Sequence, residues 1–507
     1  MKLPNFILSA AVSALLGFGG AANADGIVNV ALIGEPDTLD PVISTKTVVT
    51  MVTMHIYETL YTFDENWQPQ PLLAASPPEI LNDGKTYRIT LREGVKFHDG
   101  SDMDSADVVD SLNRWLALSS RARSFAPLVE SVEADGDNVV VINLSGSYSP
   151  LVALLAFPSA GPAIFPQEII GEDSLSATIG TGPYQLSEHE MDQYLILTRF
   201  DGYQSPDGAP SHIAGARNQI PDEIRFVPVP DSSTRLEGLL SGQFDYADSI
   251  SAENYQRLVD SDVVEPVVRE NAFSPFFVFN HKAGLMADFD LRKAVQYALS
   301  EEDMLIAAVG SEENYLVAAS LFPEGHLWHN KAGIEEYNLA DSARAGEYLA
   351  AGGYDGTPLR ILTSHQYEFH FKMAEVAKVY LEAAGFNVEL IVVDWATLGQ
   401  KRNNPEEWDI FITHSPFLPD PALVGMYSVK SRIGWANEEK EALLAEFSRE
   451  TDLAARQALF AQIQAMYFHD VPFIKIGNLN ELRGQTIGMT GVPQSPWMVF
   501  WNAQVPE

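Results

Sequence analysis

The sequence predicts an α/β protein built from two or three domains. Segments with an apolar residue at every second position alternate with segments whose apolar residues recur every three or four positions. This is the pattern of strands followed by helices. The 507 residues are too many for a single hydrophobic core. Hydrophobic residues make up 46% of the chain and charged residues 20%, the balance of a soluble globular protein.

The first 24 residues have the features of a secretory signal peptide. Lys2 supplies a positive start, residues 6–19 form an apolar run, and "ANA" at 22–24 has the small-x-small form of a cleavage site. The apolar run is too short to serve as a membrane anchor. The sequence contains no cysteine that could carry a lipid after cleavage. We therefore expect a mature protein that begins at Asp25 and lies in the periplasm without a lipid anchor.

Strands and helices can be assigned in chain order. "IVNVALIG" reads as a buried strand, and the alternation in "TYRITL" indicates a half-buried one. Ser105 can cap a helix whose apolar stripe includes Trp115. "NVVVINL", "GTGPYQL", "QYLILTRF" and "EIRFVPVP" predict four more strands. Gly242 then ends a helix that precedes a strand at "FDYAD".

The same pattern restarts near residue 271. Strand "PFFVFN" leads to the helices "DLRKAVQYALS" and "LADSARAGEYLAAGGY" and to strand "LRILTS". A helix over about 368–384, strands "NVELIVVD" and "WDIFITH", and a helix over about 452–468 follow. No repeat, low-complexity tract or linker separates these parts. The domain boundaries must therefore lie inside continuous α/β sequence, so the chain is expected to enter a domain more than once.

Charge and motifs favour a binding protein over an enzyme. The formal net charge of −37 opposes binding to nucleic acid or to an anionic membrane. The absence of cysteine excludes disulfides, thiol nucleophiles and cysteine metal sites. "DGKT" resembles the end of a phosphate-binding loop, but position 79, where that loop needs glycine, is Glu79. "GTGPYQ" lacks the third glycine of a dinucleotide-binding motif. The G-x-S-x-G motif of serine hydrolases does not occur. We predict neither catalytic residues nor a cofactor.

The histidines do not form a metal-binding pattern in the sequence. His365 and His370 are five residues apart and would point about 140° away from each other on a helix. "HEMDQ" at His189 lacks the second histidine of a zinc protease motif. His414 could join the first two only through tertiary folding. We therefore predict no metal site.

One segment has the composition of a pocket loop. "HSPFLPDP" at 414–421 contains three prolines, which exclude a helix or a central strand. Tryptophans cluster in the C-terminal half and tail. Those beside loop signals, such as Trp435 in "SRIGWAN", either pack in the core or line an apolar cleft.

The order of several motifs resembles one family over nearly the whole chain after residue 24. It is family 5 of the solute-binding proteins of ABC importers, the dipeptide-, oligopeptide- and nickel-binding type. "LREGVKFHDG" with its downstream helix is the most specific of the matching segments. The others are "TLDP", "IYETLYTFD", "PLLAASP", "GTGPYQL", "LLSGQFDYAD", "FFVFN", "DLRKAVQYAL", "AAGGYDG", "LEAAGFNVEL" and "PDPAL".

The resemblance implies a two-lobed periplasmic-binding-protein fold with mixed sheets that closes on its ligand, and an additional smaller domain. The parts would be lobe I (25–45, 182–270 and 477–507), the extra domain II (46–181) and lobe II (271–476). The closed form would deliver its ligand to the transmembrane permease subunits of an ABC importer and their ATPases. The protein itself would be a monomer that catalyses nothing, does not insert into the membrane and binds no nucleic acid.

The resemblance also shows a departure in the pocket loop. In peptide-binding relatives, an acid before the "DP" pairs with the ligand's α-ammonium group. The "DP" here is at 420–421, and the matching position is Phe417, or Leu418 if the gap falls elsewhere. Asp248 could supply the acid from the opposite side, or it could end a strand at the surface. Lys46 could meet a ligand carboxylate, or it could stay exposed.

Nine residues are candidates for ligand contact on this basis. They are Thr45, Lys46, Asp248, Ser249, Phe273, His414, Ser415, Phe417 and Trp435. A pocket of this composition suits a peptide or a peptide-like small solute; an opine, a betaine, an oligosaccharide and a metal chelate remain alternatives. A periplasmic hydrolase would need a nucleophile or metal, and a chaperone would need an exposed apolar patch.

Overall fold

A computed structural model of the chain describes residues 26–506, so the predicted signal peptide lies outside the described residues. Strands and helices occur throughout this range. The strands are β1 Ile27–Leu32, β2 Tyr61–Phe63, β3 Pro69–Pro71, β4 Glu79–Leu81, β5 Thr86–Thr90, β6 Val129–Ala134, β7 Val139–Leu144, β8 Tyr184–Glu190, β9 Tyr194–Arg199, β10 Glu223–Pro228, β11 Tyr246–Ile250, β12 Val264–Phe279, β13 Tyr315–Leu316, β14 Leu359–Thr363, β15 Val388–Val392, β16 Ile410–Ser415, β17 Phe473–Lys475 and β18 Asn478–Thr486. The helices are α1 Thr47–Thr53, α2 Ser105–Leu118, α3 Leu151–Leu155, α4 Ser232–Leu240, α5 Tyr255–Val259, α6 Phe289–Ala298, α7 Glu301–Val309, α8 Ser342–Ala351, α9 Glu368–Ala383, α10 Trp395–Lys401, α11 Glu438–Arg449 and α12 Leu453–Asp470.

A mixed sheet of twelve strands forms the framework. Its main path runs in the order β15-β14-β16-β12-β18-β11-β1-β10-β9-β8, with β13 paired to β18 and β17 to β12. In the lobe I part β1 is parallel to β10 and β11, and in the lobe II part β14 is parallel to β15 and β16. The predicted α/β class with mixed sheets is therefore confirmed.

Two long strands carry the chain from one lobe to the other. β12 and β18 pair antiparallel from Val264–Thr486 to Phe273–Leu479. The register shifts between Arg269 and Phe273. Within this interval Asn271 has a φ of 53°, a backbone conformation that asparagine tolerates better than most residues. The pairing of the two strands is thus irregular near residue 270, one of the two positions at which the predicted division of the chain passes between the lobes.

The extra domain contains a separate sheet in the order β4-β5-β7-β6, against which α2 packs. Asp104, and not Ser105 as predicted, is the N-cap of α2. Its carboxylate accepts hydrogen bonds from the backbone N–H groups of Ala106 and Asp107, and the Asp107 carboxylate accepts one from the Asp104 N–H. An ionised carboxylate beside the helix N-terminus is favoured over a hydroxyl by the helix dipole.

The packing joins the extra domain to lobe I. A single hydrophobic cluster contains Val30 and Phe226 of lobe I together with Tyr87 and Trp115 of the extra domain. Separate clusters lie in lobe II and on the other face of lobe I. We propose the three-part division on this packing and on the two crossing strands. Among residues 26–506, no helix is both long and apolar enough to span a membrane.

Buried ionic contacts also join the extra domain to lobe I. Glu58 of the extra domain and Arg217 of lobe I form an ion pair of 2.8 Å in which both side chains are almost inaccessible. Tyr203 and Thr181 donate hydroxyl hydrogen bonds to the same carboxylate at 2.8 and 2.9 Å. A buried carboxylate is stable only when its lone pairs are satisfied in this way.

Candidate functional site

The cleft between the lobes is bordered by the ends of several strands. Ser415 at the end of β16 pairs with Ser274, just past the bend of β12, so β16 ends where the chain enters lobe II. β1 and β11 are parallel and end at one edge of the lobe I sheet. Carboxyl ends of parallel strands are the usual place for ligands in such sheets.

The first cavity in this cleft has a volume of about 550 Å³ and is lined by all three parts of the molecule. Its walls include the rings of Trp67, His212, His326 and Phe417. The Trp67 ring lies 5.9 Å from that of His326 and 5.6 Å from that of His212. The other polar and charged residues of the lining are Glu65, Asn66, Arg269, Glu270, Asn271, Glu324 and Gln494. The cavity therefore combines aromatic walls with a mainly acidic rim.

The second cavity, of about 780 Å³, lies on the other side of the same loop. Pro416 lines this cavity, whereas its neighbour Phe417 lines the first. Thr45 and Arg121 contribute from lobe I and the extra domain, and the segment 421–428 contributes from lobe II. The predicted pocket loop thus separates two spaces that could each hold part of a solute.

A buried ion pair fixes the shape of this loop. Asp420 is 2% exposed, and its carboxylate accepts hydrogen bonds from Arg456 at 2.8 Å and from the Ala422 N–H at 2.9 Å. Burial raises the pKa of Asp420, and the Arg456 guanidinium opposes this rise. Trp328 donates its indole N–H to the Pro419 carbonyl at 2.8 Å. Asp420 is therefore part of the turn, as the sequence indicates.

Asp248 lies in a buried network at the crossing strands. It is 2% exposed, which excludes the predicted alternative of a strand end at the surface. Its carboxylate lies 3.6 Å from Arg483, and its carbonyl accepts a hydrogen bond from Arg235 at 2.8 Å. Burial, followed by the nearby Glu481 carboxylate, raises the pKa of Asp248 to about 6.

Ser249 belongs to the same network. Its hydroxyl donates to Glu481 at 3.1 Å, and Glu481 also binds Arg269 at 3.1 Å and Arg483 at 2.7 Å. The two guanidinium groups overcome the effect of burial and lower the pKa of Glu481 to about 2. Both Asp248 and Ser249 thus have partners inside the protein.

Phe273 and His414 are brought together at the cleft end of lobe II. Their ring centroids are 5.3 Å apart, within a group of rings that includes Tyr367, Phe369 and Trp395. His414 Nδ1 lies 3.1 Å from Nε2 of His370, a fully buried residue of α9. Burial lowers the pKa of His414 to about 4 and that of His370 to about 3. Both rings are therefore neutral at physiological pH, and one donates its N–H to the other.

The remaining predicted residues occupy different environments. Ser415 donates its hydroxyl to the Pro416 carbonyl at 3.0 Å. Lys46 is exposed and forms an ion pair of 2.7 Å with Asp37. Trp435 is 1% exposed in the core of lobe II, where its indole N–H donates to Asp470 at 2.8 Å. For Trp435 the structure agrees with the core alternative.

Several cavity residues were not predicted. Trp67 lies in the turn between β2 and β3, and Arg121 follows the C-terminus of α2. They reach the cleft only through tertiary folding, and the local sequence around each of them does not predict a pocket. Within residues 26–506, no group of three or more potential ligand side chains has the arrangement of a metal site.

Comparison with known proteins supports the resemblance. The family described as bacterial extracellular solute-binding proteins, family 5 Middle, matches residues 68–435. A probable peptide ABC transporter periplasmic-binding protein, y4tO, of Sinorhizobium fredii is 25% identical over 97% of this chain and 96% of its own. The glutathione-binding protein GsiB of Pectobacterium atrosepticum is 25% identical over 91% and 90% of the two chains.

A solved structure shares the fold over its full length. The crystal structure of the ABC transporter substrate-binding protein CtaP of Listeria monocytogenes superposes with a TM-score of 0.81 at 20% identity, covering 96% of this chain and 100% of that one. The predicted two-lobed fold agrees with this likeness. Because the family match spans more than half of the residues, the chain belongs to the family 5 bacterial extracellular solute-binding proteins.

Proposed function

We propose that this protein captures a peptide or peptide-like small solute between its lobes and delivers it to the permease of an ABC importer. The observation that carries the proposal is the pair of cavities on either side of the loop at 416–421, both lined from lobe II and from the other side of the cleft. Their combined space suits a solute larger than a single amino acid. Relatives named for peptide binding and for glutathione binding are similar over 97% and 91% of this chain.

We also propose where the protein is located and how it acts in the importer. Residues 1–24 direct export and are removed, and the mature monomer remains in the periplasm without a lipid anchor. It acts as a carrier and not as an enzyme. Contacts between the extra domain and lobe II support a closed form: Ser149 N–H donates to the Ser448 carbonyl at 2.9 Å, and the Ser147 hydroxyl to the Arg449 carbonyl at 3.0 Å. Closure would expose a joint surface of the lobes to the permease.

The loop composition favours a modified peptide or peptide conjugate over an unmodified one. Phe417 lines the first cavity at the position where the resemblance expects an acid, and the buried Asp248 carboxylate lies 3.6 Å from the Arg483 guanidinium. An ammonium group next to Phe417 would lack a carboxylate partner on this loop. If the solute is instead an opine, a betaine, an oligosaccharide or a metal chelate, the protein would deliver it to the importer in the same way.

A thermal-shift screen of the purified protein tests the proposal. The panel contains di- and tripeptides, glutathione, opines, betaines, oligosaccharides and metal chelates. A solute at one hundred times its Kd should stabilise the protein by about 2.7 kcal/mol and be recovered unchanged. Phe417→Asp should strengthen the binding of peptides with a free α-ammonium group. Val379→Asp, which adds an acid at an exposed position of α9 that lines neither cavity, serves as the control. Conversion of a bound solute would contradict the carrier role, and stabilisation only by non-peptides would contradict the peptide class.

A further inference from the structure

The second cavity contains one charged group that the protein does not neutralise. Two charged residues line it, Arg121 and Glu441. The Glu441 carboxylate is engaged by Lys440, which is fully buried, and by the Val429 N–H at 3.1 Å. The remaining lining consists of hydroxyl and apolar residues. The net electrostatic character of this cavity therefore comes from the Arg121 guanidinium.

Two contacts hold that guanidinium in a fixed orientation. Its Nε donates to the Ser159 carbonyl at 2.6 Å. Its central carbon lies 3.9 Å from the centroid of the Phe157 ring, a cation–π distance. Ser159 and Phe157 are both buried. These contacts use the Nε edge and one face of the group, so the pair of Nη groups remains available for a ligand.

No carboxylate compensates the charge from within the protein. Among residues 26–506, none lies within ion-pair distance of Arg121, although acidic residues outnumber basic ones 69 to 32 in the sequence. Burial alone lowers the pKa of Arg121 to about 10, which leaves the side chain protonated at neutral pH. A cation that is half-buried without a counterion gains from any anion that enters the cavity.

We propose that Arg121 binds a carboxylate group of the transported solute in the second cavity. The inference rests on the proposed function and specifies the solute class: a molecule with at least one free carboxylate. The planar fork of a guanidinium matches a carboxylate with two parallel hydrogen bonds, which a lysine cannot reproduce. The hydroxyl residues Thr45, Ser120 and Ser428 line the same cavity and can satisfy the remaining lone pairs of the carboxylate.

Calorimetric titration with matched ligands tests this role. The probes are glutathione and a set of tripeptides with free carboxylates, together with the same molecules as carboxamides. Wild type should bind the acids about ten- to a hundredfold more tightly than the amides, the range of a charge-assisted pair. Arg121→Met should remove this preference while leaving the affinity for the amides unchanged, and Arg121→Lys should restore part of it.

Arg123→Gln provides the matched control. Arg123 is exposed two residues away, and its loss changes the net charge equally. This variant should keep the preference for acids. Equal binding of acids and amides by wild type, or an equal loss for both in Arg121→Met, would overturn the Arg121 assignment and leave the carrier function intact. If no peptide binds in either form, the peptide proposal fails and the assignment fails with it.

Discussion

The crossing strands and the second cavity both contain guanidinium groups that are at least half-buried, but the surroundings of these groups differ. Arg483 is 1% exposed and lies beside both Glu481 and Asp248. Arg121 has a carbonyl and an aromatic ring as neighbours and no acid. At the crossing strands the protein itself supplies the opposite charges, Glu481 and Asp248. In the cavity the balance is left to the solute.

The presence or absence of an acidic partner thus distinguishes structural charges from functional ones in this fold. A paired buried charge is costly to break, since removal of one partner leaves the other desolvated. An unpaired charge beside a cavity contributes little to folding and can strengthen the binding of an opposite charge. A buried ionisable group without a partner and far from any cavity cannot bind a solute, and we expect its side chain to be uncharged.

The largest expected effect is at the crossing strands. Arg483→Met leaves Asp248 without its nearest cation, and we expect the free energy of unfolding to fall by about 3–5 kcal/mol. Urea unfolding monitored by fluorescence measures this. Arg121→Met in the same assay should lose only about 1 kcal/mol, the value of one hydrogen bond. Similar losses for both variants would remove the distinction between the two regions.

Much of the fold could be predicted because its signals are local. The alternation in "TYRITL" and the stripe around Trp115 correspond to β5 and α2. β18 was missed because its sequence, "NLNELRGQT", is polar, and it is a strand only because it pairs with β12 and β11. Asp104 was missed as the cap because the next residue, Ser105, is an equally good capping type in the sequence.

The candidate site was less predictable. The loop was predicted at 414–421 because its prolines and the family motif coincide there. The prediction was wrong for His414 and Ser415, which end strand β16, since the first proline comes only at 416. Arg121 was missed because nothing in "SSRARS" distinguishes it from Arg123, which points to solvent. The difference between them arises from Phe157 and Ser159, which are more than thirty residues away in sequence. Pockets between lobes depend on such long-range contacts.

A smaller effect is expected at an unpaired acid outside the cleft. Glu301 in α7 is 1% exposed, one of its oxygens has no partner, and burial raises its pKa to about 8. Because the pKa is raised on folding, the stability that this group contributes is present below pH 4.5 and lost as the pH rises through 8. Glu301→Gln should therefore exceed wild type in free energy of unfolding by about 3–4 kcal/mol at pH 8 and not at pH 4.5.

Urea unfolding at a series of pH values measures this difference. Glu302→Gln, an exposed neighbour on the same helix turn, is the control and should show no pH-dependent gain. A gain for Glu301→Gln that is equal at all pH values would mean that the pKa of Glu301 does not differ between the folded and unfolded states. A loss of stability that grows with pH would mean that Glu301 has a counterion. It would then belong with the paired charges of the crossing strands.

The smallest effect is expected at Lys46, which tests the comparison from the exposed side of the cleft. Its ion pair with Asp37 is 62% and 52% exposed, so Lys46→Ala should change the free energy of unfolding by less than about 0.5 kcal/mol. Solvent screens the charge of Lys46, and Asp37 already pairs with this charge. Calorimetric titration of Lys46→Ala with the carboxylate tripeptides should therefore give affinities within about twofold of wild type. A tenfold loss would place the solute carboxylate at Lys46, and the absence of a counterion at Arg121 would then have no role in binding.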